Sequence, residues 1–215
     1  MSIAENLKKI KARAGNATVI AVSKQQPQDK IDEALAAGYR VYGENRVQEA
    51  QAHWSGVHEK FPDLELHLIG SLQTNKAKDA VALFDVIQTV DREKLALALA
   101  AEMKKQNKFP ACYIEVNTGE EEQKGGVAPA ALPELLKSCK ECGLTITGLM
   151  CIPPIEDPPA LHFALLKKLA DEHGLKNISM GMSMDFEKAL ALGATHIRVG
   201  EAIFGTRVPR KPAAQ

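Results

Sequence analysis

The sequence predicts an α/β fold closed into a single (β/α)8 TIM barrel, and three observations predict it. Short apolar runs alternate with amphipathic stretches, and they do so eight times. Several of these runs are β-branched and apolar on both faces, the pattern of parallel strands covered by helices. No linker, low-complexity tract or shift of composition divides the 215 residues. The chain is therefore read as one domain, 1–215, long enough to bury roughly 70% of its unfolded surface. A doubly wound open sheet is the alternative that the same alternation permits.

The opening MSIAENLKKIKARAG reads as an amphipathic helix without the apolar core of a secretory signal. The first strand is VIAVSK (19–24), followed by the helix PQDKIDEALAAG, which Pro27 is placed to open. Next come RVYGEN (40–45) with VQEAQAHWSGV, ELHLIG (65–70) with NKAKDAVALF, and VIQTV (86–90) with DREKLALALAAEMKKQ. ACYIEVN (111–117) leads into PAALPELLKSCKECG, ITGLMCI (146–152) into DPPALHFALLKKLADEHG, and NISMGM (177–182) into DFEKALALGA. The last strand, HIRVG (196–200), is followed only by a short tail. Gly38, Gly143, Gly174 and Gly193 fall at helix ends, where a left-handed residue stops the helix. Asp91 and Asp185 are expected N-caps.

Composition excludes several classes. Lys+Arg and Asp+Glu both number 27, so no global field draws nucleic acid or an anionic membrane. The apolar run at 95–101 is too short to span a bilayer. Without an export signal the four cysteines are expected to be reduced thiols of a cytoplasmic protein. Cys139 and Cys142 have CxxC spacing, but no second pair completes a zinc site, and they close a helix rather than open one. The histidines show no HExxH pairing, and Glu120, Glu121 and Glu122 read as a solvated loop. With no heptad pattern, a monomer is expected.

Chemistry in such a barrel sits at the C-terminal strand ends, and a phosphate often binds after strands seven and eight. Lys24 closes the first strand. It is either a solvated strand end or an amine aimed into the barrel mouth. An imine needs the neutral amine, whereas a free lysine titrates near ~10.4; desolvation and a nearby cation, for which Arg198 is placed, would both lower that value. Arg198 lies between Ile197 and Val199. If those two pack against helices, its guanidinium enters the barrel; an ion pair with Glu115 is the purely structural alternative. Ser183 offers a hydroxyl, and Gly200 and Glu201 offer backbone N–H groups where glycine permits close approach. Asn45 either bonds a ring oxygen or simply makes a turn.

Taken together, AVSK (21–24), GENRVQE (43–49), HLIGSLQTNK (67–76), GLMCIPP (148–154), GMSMDFEKAL (181–190) and RVGEAIFG (198–205) resemble the pyridoxal phosphate homeostasis protein family. Its members are single-domain barrels similar to the N-terminal domain of alanine racemase. The resemblance implies that pyridoxal 5′-phosphate (PLP) is held through an imine to Lys24, with Asn45 along the ring. It further implies Ser183, Gly200 and Glu201 on the phosphate and Arg198 on the pyridine nitrogen. Some relatives have Thr at position 201, so Glu201 is expected to contribute its backbone N–H with the carboxylate turned away. Lys76 and Lys124 resemble basic loop residues of the family, and Lys124 is a candidate for a secondary PLP site.

Arginine does not give up its proton, so Arg198 leaves the ring nitrogen unprotonated and the electron sink shallow. The racemase's second base, a tyrosine from an added C-terminal domain, has no counterpart among Tyr39, Tyr42 and Tyr113. The expected role is a PLP carrier or buffer in vitamin B6 balance without robust turnover, passing cofactor to apo-enzymes. A weakly active PLP-dependent amino-acid racemase is the alternative. A Schiff-base aldolase and a scaffold that binds no PLP are two further classes.

Overall fold

The computed structural model describes residues 2–206. Its eight strands close into one parallel barrel in sequence order, which excludes the open sheet. They are β1 Thr18–Val22, β2 Val41–Glu44, β3 Glu65–Leu68, β4 Val86–Val90, β5 Ala111–Glu115, β6 Ile146–Met150, β7 Asn177–Ser179 and β8 His196–Val199. The helices are α1 Ile3–Ala14, α2 Gln28–Ala36, α3 Val47–Trp54, α4 Val57–Lys60, α5 Ala77–Leu83, α6 Glu93–Gln106, α7 Leu132–Cys142, α8 Pro159–Glu172, α9 Phe186–Ala191 and α10 Glu201–Phe204. All eight expected strands form. Most stop one to three residues earlier than the apolar runs, because the last residues of each run already turn into the loop. β7 illustrates the cause: Gly181, at φ 88°, turns the chain away soon after Ser179.

The four glycine stops also form, with φ of 81° at Gly38, 80° at Gly143, 67° at Gly174 and 89° at Gly193. Pro27 occupies the position just before α2. Two capping expectations need correction. The residue before α6 is Arg92, and Asp91 instead pairs with the Arg92 guanidinium. Asp185 does precede α9, but its carboxylate reaches back to the Met182 N–H at 2.6 Å instead of capping the helix. The chain after β8 is also more than a tail, since α10 forms at once; the residues past Thr206 lie outside those described.

α1 fills the gap where an eighth outer helix would stand, packing against α2, α9 and α10. A capping box between Ser2 and Glu5 starts it, and the Asn6 amide donates to the Ile203 carbonyl at 3.0 Å. Its buried stripe of Ile3, Leu7, Ile10 and Ala14 recurs at helical spacing. The main hydrophobic core lies between barrel and helices, and Val19, Ala21, Ile197 and Val199 belong to it. Strand alternation then turns Ile20, Val22, His196 and Arg198 toward the barrel interior. Several inner positions are polar and fully or nearly fully buried, among them His67, Gln88, Glu115, Ser179 and Arg198. The apolar sequence pattern does not show this. His67, Gln88, Ser179 and Arg198 are tolerated inside the barrel because they satisfy one another by hydrogen bonds. Among the described residues no helix is long and apolar enough to cross a membrane.

Candidate functional site

The barrel interior opens at the C-terminal strand ends into a cavity of about 260 Å³. Lys24, Asn45, Ser183, Arg198, Gly200 and Glu201, the six residues expected around the cofactor, all line it. They come from the ends of β1, β2, β7 and β8, separated by up to most of the chain length. The size is a little under the ~300 Å³ at which drug-sized sites begin, and suits one ring with a short arm. Larger hollows lie elsewhere among the described residues, two of them of about 690 Å³ and about 700 Å³. The first is lined by Arg46, Gln73 and Lys76, the second by Leu136, Lys140 and His173. Size does not decide between them; convergence of strand ends does.

Each cavity residue has a local cause for its place. Lys24 is half-buried in the turn that follows β1. Its neighbour Gln25 takes φ 58°, a left-handed value that costs a side-chain-bearing residue on the order of 1–3 kcal/mol. The Gln25 N–H donates to Glu49 Oε1 at 2.6 Å, which holds that turn to α3. On the other side of Lys24, the buried Ser23 hydroxyl donates to Glu44 Oε1 at 2.6 Å. Glu44 Oε1 also accepts from Trp54 Nε1 at 3.1 Å, so β1, β2 and α3 share one anchor. Ser23, Glu44 and Glu49 were not anticipated from the sequence. Their only signal is position: each stands beside or within a segment already singled out.

Asn45 is held by a glycine opposite. A Cβ on Gly70 would lie 2.4 Å from the Asn45 carbonyl oxygen, so only glycine lets the end of β3 press against this residue. Gly200 is tight as well: a Cβ there would come within 3.2 Å of the Val22 carbonyl oxygen. Glu201 is exposed and begins α10, so its N–H lies in the first turn, where no intrahelical acceptor exists. Ser183 is half-buried in the loop that the Asp185–Met182 bond closes.

Arg198 is only 3% exposed. Its Nη1 donates to Ser179 Oγ and its Nη2 to the Cys151 carbonyl, both at 2.8 Å. The expected structural alternative, an ion pair with Glu115, does not form; hydrogen bonds hold the guanidinium instead. Glu115 is nevertheless near enough to feel Arg198. Burial pushes its carboxyl up to about 7, Asp91 adds to the rise, and Arg198 opposes it. Sequence reasoning also missed the apolar wall of the cavity, Val22, Ile69, Ile152, Met182 and Met184. Met182 and Met184 flank Ser183, and that adjacency was the available signal.

Other candidates fall outside the cavity. Lys76 lines the 690 Å³ hollow. Lys124 pairs with Glu121 Oε2 at 2.5 Å and donates to the Pro153 carbonyl at 3.4 Å. Glu120 and Glu122 are exposed, while Glu121 is half-buried by that pair. Cys139 is buried and its thiol is pushed up to about 12 by burial, the state of an inert core cysteine.

Comparison with known proteins places the chain in a family. A family described as "Alanine racemase, N-terminal domain" matches residues 1–208. The chain is 40% identical to the pyridoxal phosphate homeostasis protein of Aquifex aeolicus, with 95% of each chain covered. It is 38% identical to that of Pseudomonas aeruginosa, with 99% of each covered. Among solved structures, PipY of Synechococcus elongatus PCC7942 without PLP superposes with a TM-score of 0.89 at 38% identity. That match covers 95% of this chain and 100% of PipY. PipY with PLP bound gives 0.81 at 37% identity, over the same shares. Alanine racemase of Clostridium difficile 630 shares the fold, with a TM-score of 0.73 at 14% identity, and this chain covers 56% of it. The chain belongs to the pyridoxal phosphate homeostasis protein family, within the wider group of alanine racemase N-terminal domains.

Proposed function

We propose that the chain binds PLP in the 260 Å³ cavity through Lys24 and serves as a carrier or buffer of the cofactor without robust turnover. One observation carries this reading: six residues assigned from scattered segments line a single cavity at the strand ends. The donor set fits the molecule. Lys24 offers an amine to the aldehyde, and Asn45 lies along the ring. The Ser183 hydroxyl and the backbone N–H groups of Gly200 and Glu201 provide donors for a phosphate. Bound there, PLP supplies an aldehyde carbon that captures an amine and a ring that can withdraw electrons.

The residues of the chain limit that chemistry. Two of Arg198's five N–H donors are committed to Ser179 and Cys151, and the others remain to bond a ring nitrogen. Arginine holds its own proton, so it hydrogen-bonds that nitrogen without protonating it. A tyrosyl base is also missing from the cavity wall. Tyr39 donates to the Val19 carbonyl, Tyr42 to the Tyr39 carbonyl, and Tyr113 meets His196; burial pushes all three hydroxyls up. This combination favours holding over turning over. In this reading the chain acts as a cytoplasmic monomer that hands PLP to apo-enzymes, with no nucleic-acid or membrane partner.

The test is optical. Wild-type protein with PLP should show an imine absorbance band near neutral pH and a borohydride-trapped mass adduct on Lys24. Lys24→Ala should lose both; an intact band in that variant would refute the assignment. Alanine racemisation at rates on the order of 1–1000 per second would instead establish an enzyme.

A further inference from the structure

A single file of hydrogen bonds runs down the barrel from the cavity to its opposite end. Arg198 Nη1 donates to Ser179 Oγ at 2.8 Å, and the Ser179 hydroxyl donates to Gln88 Oε1 at 2.7 Å. Gln88 Nε2 meets His67 Nδ1 at 2.8 Å, and His67 Nε2 meets Glu65 Oε1 at 2.6 Å. β4 and β7 are not neighbours in the sheet, so the Gln88–Ser179 bond must cross the interior. His67, Gln88 and Ser179 are fully buried. At the far end the Glu65 side chain is 46% exposed.

Donor and acceptor chemistry fixes the direction of every link. A guanidinium only donates, so Ser179 Oγ accepts and its one proton is free for Gln88. The amide then presents its NH2 to His67, which makes Nδ1 the acceptor and leaves the proton on Nε2, facing the Glu65 carboxylate. The file is thus polarised, with a cation at the cavity and a carboxylate at the far end. Its strongest sign elsewhere is Glu65, whose carboxyl is held below its ordinary range first by the His67 hydrogen bond. The neighbouring His196 adds no competing charge, since burial pushes it down to about 4.

We propose that Gln88, His67 and Glu65 are positioning residues for Arg198: through Ser179 they aim its guanidinium at the ring nitrogen, though none of them lines the cavity. The lever is the Ser179 hydroxyl. With its proton committed to Gln88 its lone pairs have one orientation, and the guanidinium plane follows; an uncommitted hydroxyl rotates. This rests on the PLP reading above.

The test uses PLP labelled with nitrogen-15 in the ring, bound to wild type, Gln88→Leu and Ser179→Ala. Two quantities are read: the NMR shift of the ring nitrogen and the dissociation constant from the imine band. Wild type should hold the shift of an unprotonated, hydrogen-bonded pyridine. Both variants should move it toward that of the free imine in the same buffer and weaken binding about 5-fold or more. Gln88→Leu leaves two buried partners unsatisfied; if it does not fold, Ser179→Ala, which removes one oxygen, carries the test. Folded variants with the wild-type shift and affinity would overturn the proposal alone. A wild type with no imine band would overturn the PLP reading, and this proposal with it.

Discussion

The two sides of the barrel mouth are built from the same kind of strand end and differ in charge. At the ends of β1, β2, β7 and β8 the chain places Lys24 and Arg198 around an open cavity. At the ends of β4 and β5 it places Asp91 and Glu115 under the loop that carries Gly125. A Cβ on Gly125 would lie 3.2 Å from Ser71 Oγ and 3.7 Å from both Asp91 Oδ2 and Glu115 Oε2, so backbone occupies that side. Glu115 is buried, and its Oε2 has no hydrogen-bond partner among the described residues. A buried carboxyl beside a second carboxylate relieves itself by keeping a proton. The difference teaches how the mouth divides: one side keeps an open cavity where Lys24 and Arg198 stand with Asp185 and Glu201, and the other is filled by backbone over a carboxyl that lowers its own negative charge. Arg198 stands between them and influences both.

Breaking the middle should have the largest effect. Arg198→Met removes both the Ser179 and Cys151 bonds and is expected to destabilise the fold by about 3 kcal/mol in urea unfolding, hydrogen bonds to a charged group being worth ~1.5–3 kcal/mol each. Wild-type stability in that variant would show that the guanidinium is not an organising centre.

Glu115→Gln sharpens the acidic side. The folded-state carboxyl, pushed up to about 7 from 4.5, stays protonated where the unfolded one has ionised. Folding is therefore opposed increasingly as pH rises from 4.5 to 7, unaffected below that window and fully penalised above it. The stability of Glu115→Gln relative to wild type should rise by up to about 3 kcal/mol across that window. His196, pushed down to about 4, acts oppositely, weakening the fold as pH falls from 6.5 toward 4. The difference between variant and wild type isolates Glu115, whereas the wild-type curve mixes both. A flat difference would remove the proposed proton from Glu115.

Two smaller changes probe the cavity side. Gly70→Ala forces a methyl against the Asn45 backbone and should cost about 2 kcal/mol, as overpacking does, together with PLP affinity; a crystal structure with Asn45 unmoved would contradict this. Asp185→Ala loses the bond to the Met182 N–H. It should cost about 1 kcal/mol in thermal unfolding and loosen the loop carrying Ser183.

The strands were legible because a parallel strand covered by helices must be apolar over a short run, and each run is local. The glycine stops were legible for a similar reason, since left-handed backbone selects glycine. Asp91 misled because an aspartate before a helix is a good cap wherever its side chain is free, and here Arg92 takes it. Lys24 and Arg198 could be singled out as cavity-lining because they stand at or near strand ends, and Ser23, Glu44 and Glu49 were missed because nothing local marks an anchor between β1, β2 and α3.

By itself the sequence determined the eight-fold alternation and which residues stand at the strand ends, because burial and backbone preference act over a few neighbouring residues. Only the tertiary structure decided which of those ends share a cavity, and that the barrel interior is a polar file. Gln88 and Ser179 are 91 residues apart, and a hydrogen bond across closed space leaves no periodicity in the chain that makes it.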